Sequence, residues 1–505
     1  MDPGWPHIGQ TVAATTDWSP TIVSETTALP SSTHVPDGLE DVADQVAAQL
    51  PDTRAWLEDL VRIPSISVSP DHVDQVRASA ERTAERLRDA GLEDVQLLEL
   101  EGAHPYVTGS WLHAGPDAPT VLLYAHHDVQ PVGTPDRWGS EPFTPTERDG
   151  RLFGRGAADD KAGIMAHVAA IRAWLTARGT LPVNVKVIIE GEEEIGSPHL
   201  GAFLERYAEL LQADVIVLTD LVNWKLGWPG LTTTLRGMAD ATITVRSLEQ
   251  PVHSGMWGGA VPDALTATTR LLASLHHDDG SIAVAGFADD VRPMSDDERA
   301  QVAALGEDPD EIRHEVRMLD GVRFVGDPDR TLLERMWAQP TITPTGMDVP
   351  SVSDASNTLL ARVDTKLSCR LAPGQDPDRA MEALAQHLRD HTPWGVHVEV
   401  ALGERNPAWV MEPGGAAWDA AIDAMAAAYG RDPAILGCGG SIPFVGPFSD
   451  AFGGAPCLLV GIEDPASNAH GEDESLHLED FVKACLTEAF LLGGLAGSAA
   501  TGGEG

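Results

Sequence analysis

From about residue 41 the chain alternates regularly between two kinds of segment. An apolar run with no polar alternation is followed by a helix-period segment and then by another apolar run. The runs are VQLLEL (95–100), TVLLYAHHD (120–128), VNVKVIIE (183–190) and DVIVLTD (214–220). Helical periodicity covers 71–90, which stops at Gly91, as well as 161–179 and 200–212. Glycine at a helix end supplies the left-handed cap that other residues resist. A strand apolar on both faces has to be covered on both, and intervening helices provide the crossovers that parallel neighbours need. The expected fold class is therefore α/β, with a mainly parallel sheet under helices on each side.

After about residue 235 the period changes. ATITVRSL (241–248), LLARVDTKLSCRLA (359–372) and GVHVEVAL (395–402) alternate, with helices expected over 262–276 and 377–391. That pattern describes a two-layer α+β unit with an antiparallel sheet. An acidic stretch, about 285–340, lies inside it and is expected to be mostly helical. From about 403 the earlier pattern returns, with a helix near 416–429 and the strand CLLVGI (457–462). The simplest organisation is a catalytic domain in two parts, 41–235 and 403–497, with a lid or dimerisation domain inserted at 236–402. Residues 1–40, rich in Thr, Ser and Pro, are expected to form a flexible leader, and 498–505 a flexible tail.

Each apolar run of the first part ends in polar residues, and in open α/β sheets that edge holds the ligand. In YAHHDVQP, His126 and Asp128 share a strand face while His127 points the other way. GRGAADDKAG (154–163) sets Asp159 and Asp160 before a helix, which suits either an N-cap or a carboxylate bridging two cations. In IIEGEEEIGS, Glu192, Glu193 and Glu194 follow a buried strand directly, a costly arrangement unless cations compensate it. Asp220 repeats the pattern on the next strand, and His470 lies in SNAHGEDE after the last one. Imidazole and carboxylate ligands together suit zinc, manganese or cobalt.

The formal net charge of −43, with lysine confined to Lys161, Lys186, Lys225, Lys366 and Lys483, repels nucleic acid and anionic membranes. Neither is expected as a partner. The acidity reads as a solubilising surface or as adaptation to high salt. No window approaches the roughly 18 apolar residues of a membrane span. The first residues, MDPGWPHIGQ, lack the basic and apolar regions of a signal peptide. Cys369, Cys438, Cys457 and Cys485 form no CxxC pair. Free thiols in a cytoplasmic protein are the expectation.

Taken in order, these motifs resemble the co-catalytic metallopeptidase family of carnosinases, bacterial dipeptidases, carboxypeptidase G, acetylornithine deacetylase and succinyl-diaminopimelate desuccinylase. The likeness runs over roughly residues 45–495. It implies two divalent ions, zinc first, with manganese and cobalt as alternatives. His126 and Asp220 would hold one ion, Glu194 and His470 the other, and Asp159 both. Glu193 would be the general base activating a metal-bridging water, and Asp128 would orient His126. The segment QPVHSGMWGG matches the one carrying the family's oxyanion histidine, here His253, which often acts across a dimer interface; a homodimer is expected accordingly. Arg370 in KLSCRLAPGQ matches the arginine that holds a substrate carboxylate, and Gly440 and Ser441 in GGSIP match a loop lining the same pocket.

Within that family, aspartate at the position of Asp220 is the habit of dipeptidases, and glutamate that of deacylases. The implied activity is hydrolysis of small peptides with a free C-terminal carboxylate. An N-acyl-amino-acid amidohydrolase using the same metals is the alternative, and a catalytically dead binding protein a further one. His127 and Cys438 are expected to pack, His477 to be an ordinary surface residue, and His276 and His277 to mark a helix end.

Overall fold

A computed structural model of the chain describes residues 29–442 and 444–501. Its centre is a nine-stranded sheet. The strands run in the order Glu93–Leu98, Tyr106–Trp111, Asn184–Glu190, Thr120–His126, Val215–Val222, Cys457–Glu463, Gly230–Leu235 and Trp409–Val410, with Ala434–Cys438 beside Gly230–Leu235. The middle is parallel, as the buried apolar runs require: Thr120–His126 pairs in parallel with both neighbours, and Val215–Val222 with Cys457–Glu463. Antiparallel pairs flank it on both sides, with Ala434–Cys438 parallel to Gly230–Leu235, so the sheet is mixed. Glu93–Leu98 and Tyr106–Trp111 are joined by a short connection with no helix, and only a hairpin-type pairing can follow.

The central strand shows why its residues are uniformly apolar. Val121, Leu123 and Ala125 enter one core, beneath the helices Glu40–Val61, Lys161–Arg178, Ala416–Tyr429 and Leu478–Thr501. Leu122 and Tyr124 enter the other, beneath Leu200–Leu211 and Val445–Ala451. Each of these large side chains contributes roughly 1.5–3 kcal/mol by leaving water.

Only Arg236 separates the strand Gly230–Leu235 from Gly237–Arg246, which belongs to a second, four-stranded antiparallel sheet. The order there is Thr341–Met347, Arg362–Leu371, Gly237–Arg246, His397–Asn406. Helices Ala264–Ala273 and Pro377–Asp390 cover one face through a core of its own. Alternation is clean on Gly237–Arg246, where Ala239, Ala241, Ile243 and Val245 are fully buried.

Three expectations are corrected. The stretch 285–340 holds only short helices, Asp296–Ala304, Pro309–Glu315 and Leu332–Ala338, separated by irregular runs. Its Val302, Leu305 and Leu333 pack on Ala434 and Leu436 of the large sheet. The end of the leader is packed: Leu29, Val35 and Leu39 lie on the main core, and the His34 amide donates to the Ala427 carbonyl at 2.7 Å. Residues 1–28 lie outside the described residues. The last helix continues to Thr501, past the expected start of a tail at 498, and 502–505 lie outside the described residues. Among the described residues no helix is long and apolar enough to cross a membrane.

Candidate metal centre

Three strands deliver polar residues to one edge of the sheet. His126 closes its strand beside Glu190 of the neighbour, and Asp220 stands near the end of Val215–Val222. The tight turn Glu193–Ile195 begins just after Glu190. It divides the run of three acids. Glu192 turns back to accept from the His104 amide (3.0 Å), Tyr106 Oη (3.2 Å) and the His199 ring (3.0 Å). Glu193 and Glu194 face forward, their amides donating to Asp128 at 3.3 and 3.1 Å. The two adjacent aspartates before Lys161–Arg178 divide as well. Asp160 is the N-cap, accepting from the Gly163 amide at 3.1 Å, whereas Asp159 turns to the histidines. The two neighbours thus part, one capping the helix and the other facing the histidines.

Asp159 lies between two imidazoles, Oδ1 being 3.0 Å from His126 Nε2 and Oδ2 3.1 Å from His470 Nε2. His126 Nε2 is also 3.7 Å from Asp220 Oδ1, and His470 Nε2 is 3.1 Å from Glu194 Oε2. Two triads result, His126–Asp159–Asp220 and Asp159–Glu194–His470, each with one donor atom per residue within 4.8 Å of the others. Behind them, His126 Nδ1 is 3.4 Å from Asp128 Oδ1. A carboxylate behind a ligating imidazole fixes its tautomer and raises its basicity.

Burial dominates the electrostatics. It pushes the carboxyls of Asp220 and Glu193 above their usual range, and that of Glu194 up to about 7, with neighbouring acids adding to the effect. Burial alone would lower His126, but Asp220, Asp128 and Asp159 together raise it well above 6.5. The carboxylates beside His470 raise it to about 11. Cations placed among these acids would offset their mutual repulsion. The nitrogen and oxygen donor set, in two groups around a shared carboxylate, fits a pair of divalent ions.

Towards the four-stranded unit, Arg370 Nη1 donates to Ser441 Oγ at 2.8 Å, and Ser441 in turn donates to the Arg236 carbonyl. Arg236 Nε and Nη1 hold the carbonyls of Gly439 (2.9 Å) and Gln339 (3.1 Å). Burial and the nearby Arg370 lower the Arg236 guanidinium to about 10. The Gly440 amide donates to Cys438 Sγ at 3.2 Å. His253 stands apart, exposed on a two-stranded ribbon, and its Nδ1 accepts from the Gly255 amide at 3.1 Å.

The chain matches Peptidase family M20/M25/M40 over residues 122–492. It belongs to that family. It is 34% identical over 439 residues to the cysteinylglycine-S-conjugate dipeptidase of Corynebacterium striatum, spanning 86% of this chain and 94% of that one. Two solved structures superpose with TM-scores of 0.79: the di-peptidase Dug1p of Saccharomyces cerevisiae, at 25% identity over 91% of this chain and 99% of that one, and human carnosine dipeptidase 1, at 26% over 92% and 99%. Membership in this peptidase family makes the chain a metal-dependent hydrolase.

In this M20-family chain several buried residues beside the site escaped the sequence reading. Glu190, raised to about 8 by burial, accepts from Tyr124 Oη at 2.8 Å. Arg155 and Glu474 meet at 2.6 Å. Arg236 occupies the junction between the sheets. Arg155 and Glu474 lie inside the GRGAADDKAG and SNAHGEDE motifs, and a buried role for them could have been sought there. His127 packs as expected, buried against the Pro105 carbonyl at 2.9 Å, whereas His477, expected to be an ordinary surface residue, is half-buried near the start of the last helix, where it accepts from the Asp480 amide.

Proposed function

We propose that the chain is a dipeptidase acting on short peptides with a free C-terminal carboxylate, through two divalent cations, zinc in the first instance. The observation that carries this reading is the position of Asp159, shared by two ligand sets that each end in a histidine. His126, Asp159 and Asp220 would hold one cation, and Asp159, Glu194 and His470 the other. When bound, such ions polarise the scissile carbonyl and make a water molecule acidic near neutral pH.

The remaining work falls to the chain. Glu193 takes the proton of the attacking water and returns it to the leaving amine. Asp128 keeps His126 oriented and, through two amide bonds, keeps Glu193 and Glu194 facing the site. Arg370, presented with Ser441 and Gly440, binds the substrate carboxylate in the two-pronged geometry a guanidinium favours.

His253 donates to the oxyanion. With Nδ1 accepting from Gly255, its Nε2 carries the proton in the neutral ring. Its exposure, beside Met256 at 74% and Trp257 at 51%, supports a homodimer in which the residue serves the partner's site. The four free cysteines fit a reducing, cytoplasmic setting. The likeness to a cysteinylglycine-conjugate dipeptidase and to carnosine dipeptidase supports dipeptides over N-acyl amino acids. Hydrolysis of a dipeptide panel beside matching N-acetyl amino acids tests the choice. Release of amino acids from dipeptides supports the reading, and cleavage of the acyl compounds alone would move the enzyme to the deacylases.

A further inference from the structure

Two buried charges outside both ligand sets tie the cation-binding loops together. Arg155 and Glu474 are 1% and 0% exposed. Glu474 follows His470 in the loop after the last sheet strand, and Arg155 precedes Asp159 in the loop before the helix Lys161–Arg178. Every lone-pair direction of the carboxylate is directed at the Asp159 loop. Oε1 accepts from the amides of Ala158 (2.9 Å) and Asp159 (3.2 Å), and Oε2 from the Gly156 amide (3.0 Å) and Arg155 Nη1 (2.6 Å). The other arm of Arg155 returns to the His470 loop, donating to the Gly471 carbonyl at 3.0 Å, and also reaches the Pro131 carbonyl, beyond the His126 strand, at 3.1 Å. Converging amides form a concavity that calls for an anion, and here the anion comes from the opposite loop.

We propose that Glu474 and Arg155 are positioning residues that set the spacing of Asp159 and His470, and thereby govern occupancy of the cation position Asp159–Glu194–His470. This rests on the two-cation reading above. The asymmetry follows from where the ligands sit. His126 and Asp220 stand on central strands of the sheet, His126 in register with Glu190 and Asp220 between the paired Leu218 and Leu221. Two of the three ligands of the other position, Asp159 and His470, are on the loops that this pair clasps. His470 is itself 60% exposed on its side chain and has a positive φ of 63°, and Glu474 reaches from its loop into the amides of the Asp159 loop. Loosening the clasp costs the His470 position more than its neighbour.

The test is stepwise zinc uptake by metal-stripped full-length protein against a competing chelator dye, for the wild type, Glu474→Gln and Arg155→Lys. Glutamine keeps the shape of Glu474 but places an amide N–H against donors. Lysine keeps the charge of Arg155 without the arm that reaches Gly471. The wild type is expected to take up two equivalents. In both variants one step should fall by about 10–100-fold, the usual cost of losing a group that orients a ligand, while the other stays within about threefold and the far-ultraviolet dichroism is unchanged. If both steps stay within about threefold of the wild type, or both weaken alike, the proposal is overturned. Should Glu474→Gln fail to fold, Arg155→Lys carries the comparison alone. Failure of the underlying reading looks different, because the wild type itself would then take up one equivalent or none.

Discussion

The Ser441 hydroxyl, on the nine-stranded body, accepts from the guanidinium of Arg370, on the four-stranded unit, at 2.8 Å. Nothing else joins the Arg370 side chain to a hydrogen-bond acceptor among the described residues, and another arginine, Arg236, lies near enough to feel its charge. A guanidinium beside a like charge, with a hydroxyl as its partner, is poised for an anion. Arg370→Lys, which keeps the charge but loses the fork, should lower kcat/KM by about 10–100-fold for free dipeptides, or about 1.5–3 kcal/mol of charge-assisted bonding. Peptides with an amidated C-terminus should be cleaved slowly and equally by both proteins. An equal loss on both substrate types would contradict the assignment.

His253 is exposed and makes no contact with the candidate ligands in its own chain among the described residues. His253→Ala should reduce turnover by about 10²–10³-fold, the cost of one oxyanion donor, with metal content unchanged. Mixing it with Glu193→Gln protein should restore up to about a quarter of wild-type turnover, because in a heterodimer one site receives both functional residues. Loss of metal from His253→Ala, or no recovery on mixing subunits that exchange, would contradict the shared-site account.

His167 makes a buried link between two long helices. Nδ1 meets Glu488 of the last helix, while Nε2 is 3.0 Å from the Tyr124 carbonyl. Both partners accept, so the ring needs both protons. Burial would lower its affinity for the second, but attraction to Glu488 outweighs that and raises it above 6.5. A histidine raised by folding adds stability that is complete below its unfolded value of about 6.5 and fades as pH climbs through the folded value. His167→Gln should therefore cost about 3–5 kcal/mol near pH 6 and clearly less near about pH 10, read as urea midpoints. An equal cost at both would contradict a charged ring.

The ends of the apolar runs were readable because a strand buried on both faces excludes polar residues until it leaves the core. That is why His126, the run Glu192–Glu194 and Asp220 mark the same edge. Residue periodicity could not say which member of Asp159–Asp160, or of Glu192–Glu193–Glu194, faces the site. Those choices depend on turn geometry: Asp160 is drawn off by the Gly163 amide and Glu192 by His104, Tyr106 and His199. The antiparallel flanks were hidden for a related reason, since buried strands read as apolar runs whichever way they point. In 285–340, acidic residues and single apolar anchors such as Leu333 resemble helix, yet short turns suffice to seat those anchors on the large sheet.

The most direct test of the central claim, two cations with Glu193 as the base, pairs metal content with dipeptide turnover. Chelator-stripped wild type and Glu193→Gln would each be assayed before and after restoration with zinc, manganese or cobalt. Both proteins should bind two equivalents, and only the wild type should regain activity, with the variant about 10²–10⁴-fold slower. Turnover by stripped wild type, or a fully metallated variant within about threefold of it, would contradict the account.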